Sequence, residues 1–311
     1  MTDTAKNFNP KRRTILKQLG LLTGAMAISP IISASTNLEK FKNKNRILRI
    51  AHITDIHMRP EHDAPNRFKK CLADIKTHEI DFFLNGGDVI YAANYKHIER
   101  KRVHEQWNIW KALRNEFSEY EMHSCLGNHD MWWAAPEKTD PMYGKQYVAK
   151  QLEMPSTFYS FDKNGWHFII LDSLNDSTIA LGEVQREWLE KDLEKLSAGT
   201  PVLIMSHCPI LSACGVFKNG NHKDSKDITT IFYKHKDKKI NCIGGHIHLL
   251  DHSIYNDVNY YCNGALSGAW WEEGDENSAQ KHWYYQTPPG YAIIDLFEDG
   301  SLLNSYFPHP Y

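Results

Sequence analysis

Nine residues suited to gripping cations recur in short clusters along the chain. They are Asp55 and His57, then Asp88, then Asn128, His129 and Asp130, then His207, and finally His246 and His248. Nitrogen and oxygen donors of this kind suit Mn, Fe, Co, Ni or Zn better than Ca or Mg. Residues two apart on an extended segment point the same way. Asp55 and His57 can therefore aim at one ion, and His246 and His248 at one ion or two neighbouring ones. A carboxylate offers about four lone-pair directions, so Asp88 is suited to bridge two cations. The pairs Gly86-Gly87 and Gly244-Gly245 stand just before Asp88 and His246, where they let the backbone turn tightly and keep bulk away. A lone histidine is ordinarily a surface or hydrogen-bonded residue. The joint pattern is what argues for a metal site.

Each cluster follows an apolar run: "ILRIAHITD" (47–55), "DFFLNGGD" (81–88), "MHSCLGNHD" (122–130), "PVLIMSHCP" (201–209) and "INCIGGHIH" (240–248). These runs predict five strands that end in polar turns. Parallel or mixed sheets gather such ends along one edge, where ligands bind. The pattern predicts helices over 65–78, 94–118 and 182–196, with Trp107, Trp110 and Leu113 at helical spacing toward the core. Hairpins are expected over 157–173, turning at Asn164-Gly165, and over 291–307, turning at Asp299-Gly300. Strand and helix alternate in the N-terminal part, and the C-terminal part is mostly strand. Two stacked sheets flanked by helices follow, in one domain over 46–311.

The motifs "DIH" (55–57), "GGD" (86–88), "GNHD" (127–130), "SHCP" (206–209) and "GGHIH" (244–248) occur in the order found in calcineurin-like metallophosphoesterases. The chain resembles that superfamily over roughly residues 47–250. The resemblance implies an α/β fold, a four-layer α/β/β/α sandwich of two mixed sheets. It implies two divalent transition-metal ions (Mn, Fe or Zn), one held by Asp55, His57, Asp88 and His248, the other by Asp88, Asn128, His207 and His246. It makes His129 the residue facing the substrate, supported by Asp130. Two departures stand out. Ser206 replaces the usual glycine before the histidine, which keeps the ligand. Tyr91 follows Asp88 by three, a spacing similar to purple acid phosphatases, where such a tyrosine binds iron. Those enzymes lack a histidine at the position of His57, so Tyr91 is expected on the packing or substrate side.

The expected activity is hydrolysis of a small phosphate ester. Two divalent ions less two carboxylates leave a surplus of about +2 to hold an anionic phosphate. Two metals activate a water and absorb transition-state charge. His129 would protonate the leaving alkoxide, help typically worth about 10²–10⁴ in rate. No side chain looks like a covalent nucleophile. Phosphodiesters, such as cyclic nucleotides or glycerophosphodiesters, are expected ahead of monoesters. The alternatives are a purple-type acid phosphatase acting on monoesters, an enzyme of lipid-linked or cell-wall phosphodiesters, and a non-catalytic binding module on the same fold.

The 311 residues are 41% hydrophobic and 24% charged, ordinary for a soluble globular protein. A formal charge of −2 gives no global pull toward nucleic-acid polymers. No two of the six cysteines form a C-x-x-C pair, which argues against a zinc ribbon or thioredoxin-like motif. They are buried free thiols or, after export, disulfide partners. Residues 1–35 read as an export signal: Lys11, Arg12 and Arg13, an apolar segment, then small residues. The adjacent arginines, with Ile15, Leu16 and Lys17 behind them, resemble a twin-arginine signal. The expected partner is the twin-arginine export machinery, and the expected location is periplasmic or extracellular, with an uncleaved N-terminal anchor as the alternative. Segment 261–291 carries Trp270, Trp271, Trp283, Tyr284 and Tyr285. These either wall the pocket and stack on a nucleobase or sugar, or pack a long loop onto the domain. Tyr91, Trp270 and Trp271 are the substrate-side candidates.

Overall fold

Alternation within single strands builds the layers. In β1 (Arg46–Ile53), Leu48 and Ile50 lie in one buried cluster, and Ala51 and Ile53 in another. The computed structural model, which describes residues 41–175, 178–272 and 287–309, repeats this alternation down the chain. The expected leader over 1–35, and Trp283, Tyr284 and Tyr285, lie outside the described residues.

After β1 come α1 (Ala64–Lys76), β2 (Phe82–Asn85), α2 (Arg100–Asn115), β3 (Met122–Ser124) and α3 (Gly144–Gln151). The hairpin β4 (Tyr159–Lys163) and β5 (Trp166–Leu171) follows, then the small pair β6 (Leu174–Asn175) and β7 (Thr178–Ile179). Next are α4 (Gly182–Glu194), β8 (Pro201–Ser206), α5 (Ala213–Lys218), α6 (Ser225–Lys234) and β9 (Lys239–Gly244). The chain ends with β10 (Asp251–Tyr255), β11 (Val258–Cys262), β12 (Gly290–Phe297) and β13 (Leu302–Pro308). Residues Arg46–Tyr311 form one compact unit.

Two large mixed sheets result. One has the order β13-β12-β1-β2-β3 and the other β10-β11-β9-β8-β5-β4. Strands β1, β2 and β3 are parallel neighbours, as are β5, β8, β9 and β11, so their C-terminal ends gather on common edges. Leu48, Ile50, Phe82, Leu84, Phe168 and Leu203 share one cluster contributed by both sheets. The odd-even partners face outward. Phe83 joins Phe68, Leu72 and Trp107 of the helices over the first sheet. Ile169 and Ile204 join Leu189, Leu193 and Ile231 of the helices over the second. Strands covered on both faces read as continuous apolar runs rather than alternating ones. This is the expected α/β/β/α sandwich.

The Asn164-Gly165 hairpin forms as expected, with positive φ at both residues (49° and 81°), which a tight two-residue turn requires. Helix α2 starts at Arg100 rather than residue 94, because the backbone before it is committed elsewhere. The Ala93 N–H donates to the His129 carbonyl at 2.7 Å, and the Ala92 N–H and carbonyl both pair with the Gln106 side chain. All six cysteines are free, five of them buried. Among the described residues, no helix is long and apolar enough to cross a membrane.

Candidate metal centre

The turns after β1, β2, β3, β8 and β9 meet at one edge, where the two sheets are tied by hydrogen bonds. His207, just past β8, donates from Nδ1 to the Gly86 carbonyl past β2 at 2.7 Å. The His246 N–H, past β9, donates to Asp55 Oδ2 past β1 at 2.9 Å. Across this seam the structure brings the seven expected ligands together. Asp55, His57 and His248 each offer one ligand atom within 4.8 Å of the others, and so do Asp55, Asp88 and His207. Asp88 Oδ2 lies between the two groups, 3.2 Å from His207 Nε2 and 3.8 Å from His57 Nε2. Asn128 Oδ1 is 3.1 Å from His207 Nε2. The His246 ring packs 5.2 Å from the His207 ring, centroid to centroid.

The local backbone differs from the extended segment the spacing suggested. Asp55 (φ 53°), His57 (45°), Asp88 (52°), His246 (68°) and His248 (57°) all sit in the left-handed region. Such conformations are strained for side chains other than glycine, though Asp and His adopt them more readily than most. Tertiary hydrogen bonds hold them there: Asp55 N–H to the Gly87 carbonyl at 3.0 Å and His57 N–H to the Asp88 carbonyl at 2.8 Å. The glycines permit close approach. A Cβ on Gly245 would overlap Thr54 Oγ1 and Asp55 Oδ2, and Gly87, at φ 86°, lies against the backbone of Gly127.

Hydrogen bonds to the far side of each imidazole aim its lone pair. A carbonyl only accepts, so Nδ1–H of His207 faces Gly86 and Nδ1–H of His248 faces the Gly268 carbonyl at 2.9 Å. Nε2 of His248 then turns its lone pair toward other acceptors, while Nε2 of His207 holds a proton toward Asp88 Oδ2 that a metal would displace. His248 Nε2 is 3.2 Å from Asp55 Oδ1 and 3.2 Å from His57 Nε2. Asp55 Oδ2 is satisfied by Thr54 Oγ1–H at 2.7 Å and by His246 N–H, while the buried Oδ1 has no hydrogen-bond partner. Lone pairs converging on lone pairs are the arrangement a cation relieves, so these residues fit a pair of divalent ions.

Protonation tells the same story. Burial pushes the Asp55 and Asp88 carboxyls up, yet the neighbouring histidines hold both below the ordinary carboxylate range. Burial lowers His57 and His129, and takes His246 down to about 4, so these rings are neutral ligands or donors. His207 goes the other way. Burial lowers it, but Asp88 outweighs burial and pushes it up to about 10. In the metal-free site a proton on His207 therefore stands where positive charge belongs. Cys208 lies within 4.8 Å of ligand atoms of His207 and His246, but burial pushes its thiol well up and keeps it protonated.

The remaining candidates separate. His129 donates its N–H to Asp88 Oδ1 at 2.7 Å, and its ring stands edge-on to His57 at 5.1 Å with Nδ1 buried and unpartnered. Asp130 makes no hydrogen bond to His129. Its carboxylate instead takes N–H bonds from Gly127, Asp88, Val89 and Ile90 at 2.8–3.2 Å, pinning the β2 and β3 turns together. Burial and the charge of Asp88 push Asp130 up to about 7, against the pull of those amides. Trp270 lies at the site, its ring 5.9 Å from both His57 and His248. Trp271 does not: it is fully buried, with Nε1–H donating to the Ile56 carbonyl at 2.8 Å. Two adjacent tryptophans at φ 56° and 70° point apart, and the second is a core residue. Tyr91 packs edge-on to Trp270 at 6.4 Å, under the Arg59 guanidinium at 4.3 Å.

Sequence reasoning missed several supports. Thr54, Ser267 and Gly268 orient ligands through a hydroxyl or carbonyl, Gly86, expected only to ease a turn, does so through its carbonyl, and Tyr95 packs edge-on to His129 at 5.7 Å. Thr54 adjoins a ligand and could have been found. The others act through the backbone or from a loop, where residue type carries little signal.

The family model for calcineurin-like phosphoesterases matches residues 48–250. The chain belongs to this family. Its fold is similar to a dimetal phosphatase from Danio rerio, at 11% identity and TM-score 0.61, over 85% of this chain and all of that one. A purple acid phosphatase from yellow lupin seeds is similar at 18% identity and TM-score 0.59, over 85% of this phosphoesterase and 52% of the lupin chain. GAP50, the anchor in the inner membrane complex of Plasmodium, is similar at 15% identity and TM-score 0.55, over 84% of each chain. No curated protein matches the sequence. Membership places the chain in a superfamily of phosphoesterase hydrolases, and its clustered carboxylates and imidazoles are candidate metal ligands.

Proposed function

We propose that this phosphoesterase hydrolyses small phosphodiesters, with His129 as the proton donor to the leaving oxygen. The observation that carries the reading is the placement of His129. Its backbone is anchored on Asp88, its ring stands over His57, and its Nδ1 has no protein partner. An alkoxide leaving group needs that proton far more than an aryloxide does.

Asp55, His57, Asp88 and His248 would hold one divalent ion, and Asp88, Asn128, His207 and His246 the other. When bound, the ions supply Lewis-acid charge and lower the pKa of a water that attacks phosphorus. The protein's own residues do the rest. His207 and His248 are locked by the Gly86 and Gly268 carbonyls, so no reorientation is needed at the moment of reaction. Asp130 holds the turns that carry Asp88 and His129 in one register. Burial holds His129 below its ordinary value in the free protein. The negative charge of a bound phosphate ester raises it and returns the proton it must give up. Trp270, Tyr91 and Tyr95 present aromatic edges and faces around His57 and His129, which supports a leaving group with a planar ring, such as a nucleoside.

The test is a panel of a chromogenic diester, a chromogenic monoester, a cyclic nucleotide and a glycerophosphodiester, run with Mn and paired with elemental analysis. Hydrolysis of diesters ahead of monoesters is expected. No hydrolysis of any of them, with both metals bound, would sink the reading. A second reading, a purple-type acid phosphatase, rests on Tyr91. The packing of Tyr91 against Arg59 and Trp270, with His57 among the ligands, speaks against an iron-bound phenolate. A violet absorbance in the iron-loaded protein would reinstate it. The leader-like N-terminus supports export by the twin-arginine route, with a periplasmic or extracellular working place. Loss of export on replacing Arg12 and Arg13 by lysine would test it.

A further inference from the structure

A second group of metal-binding side chains lies on the outer helix layer of the second sheet, away from the catalytic ligand set in sequence and in composition. Glu190 and Glu194 stand one turn apart on α4, on the same face. His235 caps the C-terminus of α6, its N–H closing onto the Ile231 and Phe232 carbonyls at 3.2 and 3.1 Å. One ligand atom of each of the three lies within 4.8 Å of the others. His235 is only 9% exposed, and its Nε2 is buried without any hydrogen-bond partner. A buried polar nitrogen left unpaired is costly unless something outside the chain completes it.

The electrostatics of the place favour a cation. Glu194 is the last residue of α4 and His235 follows the last residue of α6, so the partial negative ends of two helices meet two carboxylates. The helices are already packed together through Leu189, Leu193, Ile228, Ile231 and Phe232. Among the described residues Lys234 is the cation in direct contact with this group, donating to Glu190 Oε1 at 2.6 Å. It engages one oxygen of Glu190, and among the described residues Glu194 forms no ion pair.

We propose that Glu190, Glu194 and His235 bind a single borderline transition-metal ion, Zn²⁺ or Ni²⁺, that ties α4 to α6. One imidazole and two carboxylates are an N/O set such ions accept, and hard ions such as Mg²⁺ do not prefer. The site is structural: it clamps the outer helices onto the second sheet and takes no part in ester hydrolysis. Lys234 competes with the ion for Glu190.

The experiment uses the full chain, stripped by chelation and dialysed against Zn²⁺, with bound metal counted by elemental analysis. The double variant Glu190→Gln/Glu194→Gln should carry one ion fewer per chain than wild type, with diester hydrolysis unchanged. Asp88→Asn should lose catalytic metal yet keep this ion, and Zn²⁺ should still raise its melting temperature. That rise should vanish when the two glutamines are added. Lys234→Met should tighten Zn²⁺ binding severalfold in calorimetry. Equal metal counts for wild type and the double variant, or a melting shift in Asp88→Asn that survives the glutamines, would overturn the proposal.

Discussion

His207 donates from Nδ1 to the Gly86 carbonyl at 2.7 Å, across 121 residues of chain and from one sheet to the other. That bond decides the tautomer of a metal-facing imidazole, and it aims Nε2 at Asp88 Oδ2, 3.2 Å away. The pair carries the charge logic of the centre, and the first prediction follows from it.

In the metal-free protein His207 is pushed up to about 10, from an ordinary value of 6.5 in the unfolded chain. A histidine raised on folding contributes stability that is full below the unfolded value and is lost as pH climbs through the folded one. The chelated protein should therefore lose denaturant resistance between about pH 6.5 and pH 10, and Asp88→Asn should flatten that slope. A ligand must be deprotonated to bind metal. Metal uptake at neutral pH should release a proton, seen as a calorimetric heat that changes with the ionisation enthalpy of the buffer. A buffer-independent heat would contradict the assignment.

Asp88 serves both halves of the centre and accepts the His129 N–H. Asp88→Asn should lower metal occupancy and turnover together, by more than the ~10–100-fold that losing an outer hydrogen-bond partner costs. Elemental analysis beside steady-state kinetics reads both. Full occupancy with full activity would remove Asp88 from the ligand set.

His129→Ala should leave metal content close to wild type and slow esters with alkyl leaving groups by about 10²–10⁴. Esters of p-nitrophenol, which leave without a proton, should suffer far less. The same acid role predicts that the rate on alkyl diesters falls as pH rises through the His129 value, and that the variant loses this limb. Equal losses on both classes of leaving group would mean His129 positions the site without giving up a proton.

The adjacent tryptophans should behave oppositely. Trp271→Ala removes a fully buried ring and its hydrogen bond to Ile56, and should cost about 3–5 kcal/mol of stability. Trp270→Ala should leave the melting temperature nearly unchanged and raise KM for nucleoside esters more than for glycerophosphodiesters. Thermal denaturation and kinetics on the two variants separate them.

Gly245→Ala tests the close approach of the β9 turn to the ligands. Its Cβ would overlap Thr54 Oγ1 and Asp55 Oδ2, and overpacking of this kind typically costs about 1–3 kcal/mol. Here the displaced atom is a candidate ligand, so metal affinity should fall along with stability. Unaltered metal titration would show that the turn gives way without moving Asp55.

Much of the site was legible along the chain because its ingredients are local. Five apolar runs and their polar tips stand in the sequence, and the strands β1, β2, β3, β8 and β9 end where the tips begin. Interior strands of a sandwich must be apolar on both faces, so the runs were readable from composition alone. The helix before Arg100 was misread because Ala92 and Ala93 give their backbone bonds to Gln106 and His129, partners no local pattern names. The resemblance made Asp130 the support of His129, yet its oxygens take the amides of two turns brought together by sheet pairing.

By itself the sequence determined which side chains are available to a pair of cations, at which strand ends, and in what order. Only the tertiary structure decided how they are held: the left-handed backbone at five ligands, the carbonyls that orient His207 and His248, and the turning of Trp271 into the core while Trp270 stays at the site. The physical reason is separation. Residue types and strand runs are properties of neighbours, whereas tautomers and ring directions depend on groups that meet only when two sheets, distant along the chain, pack into one edge.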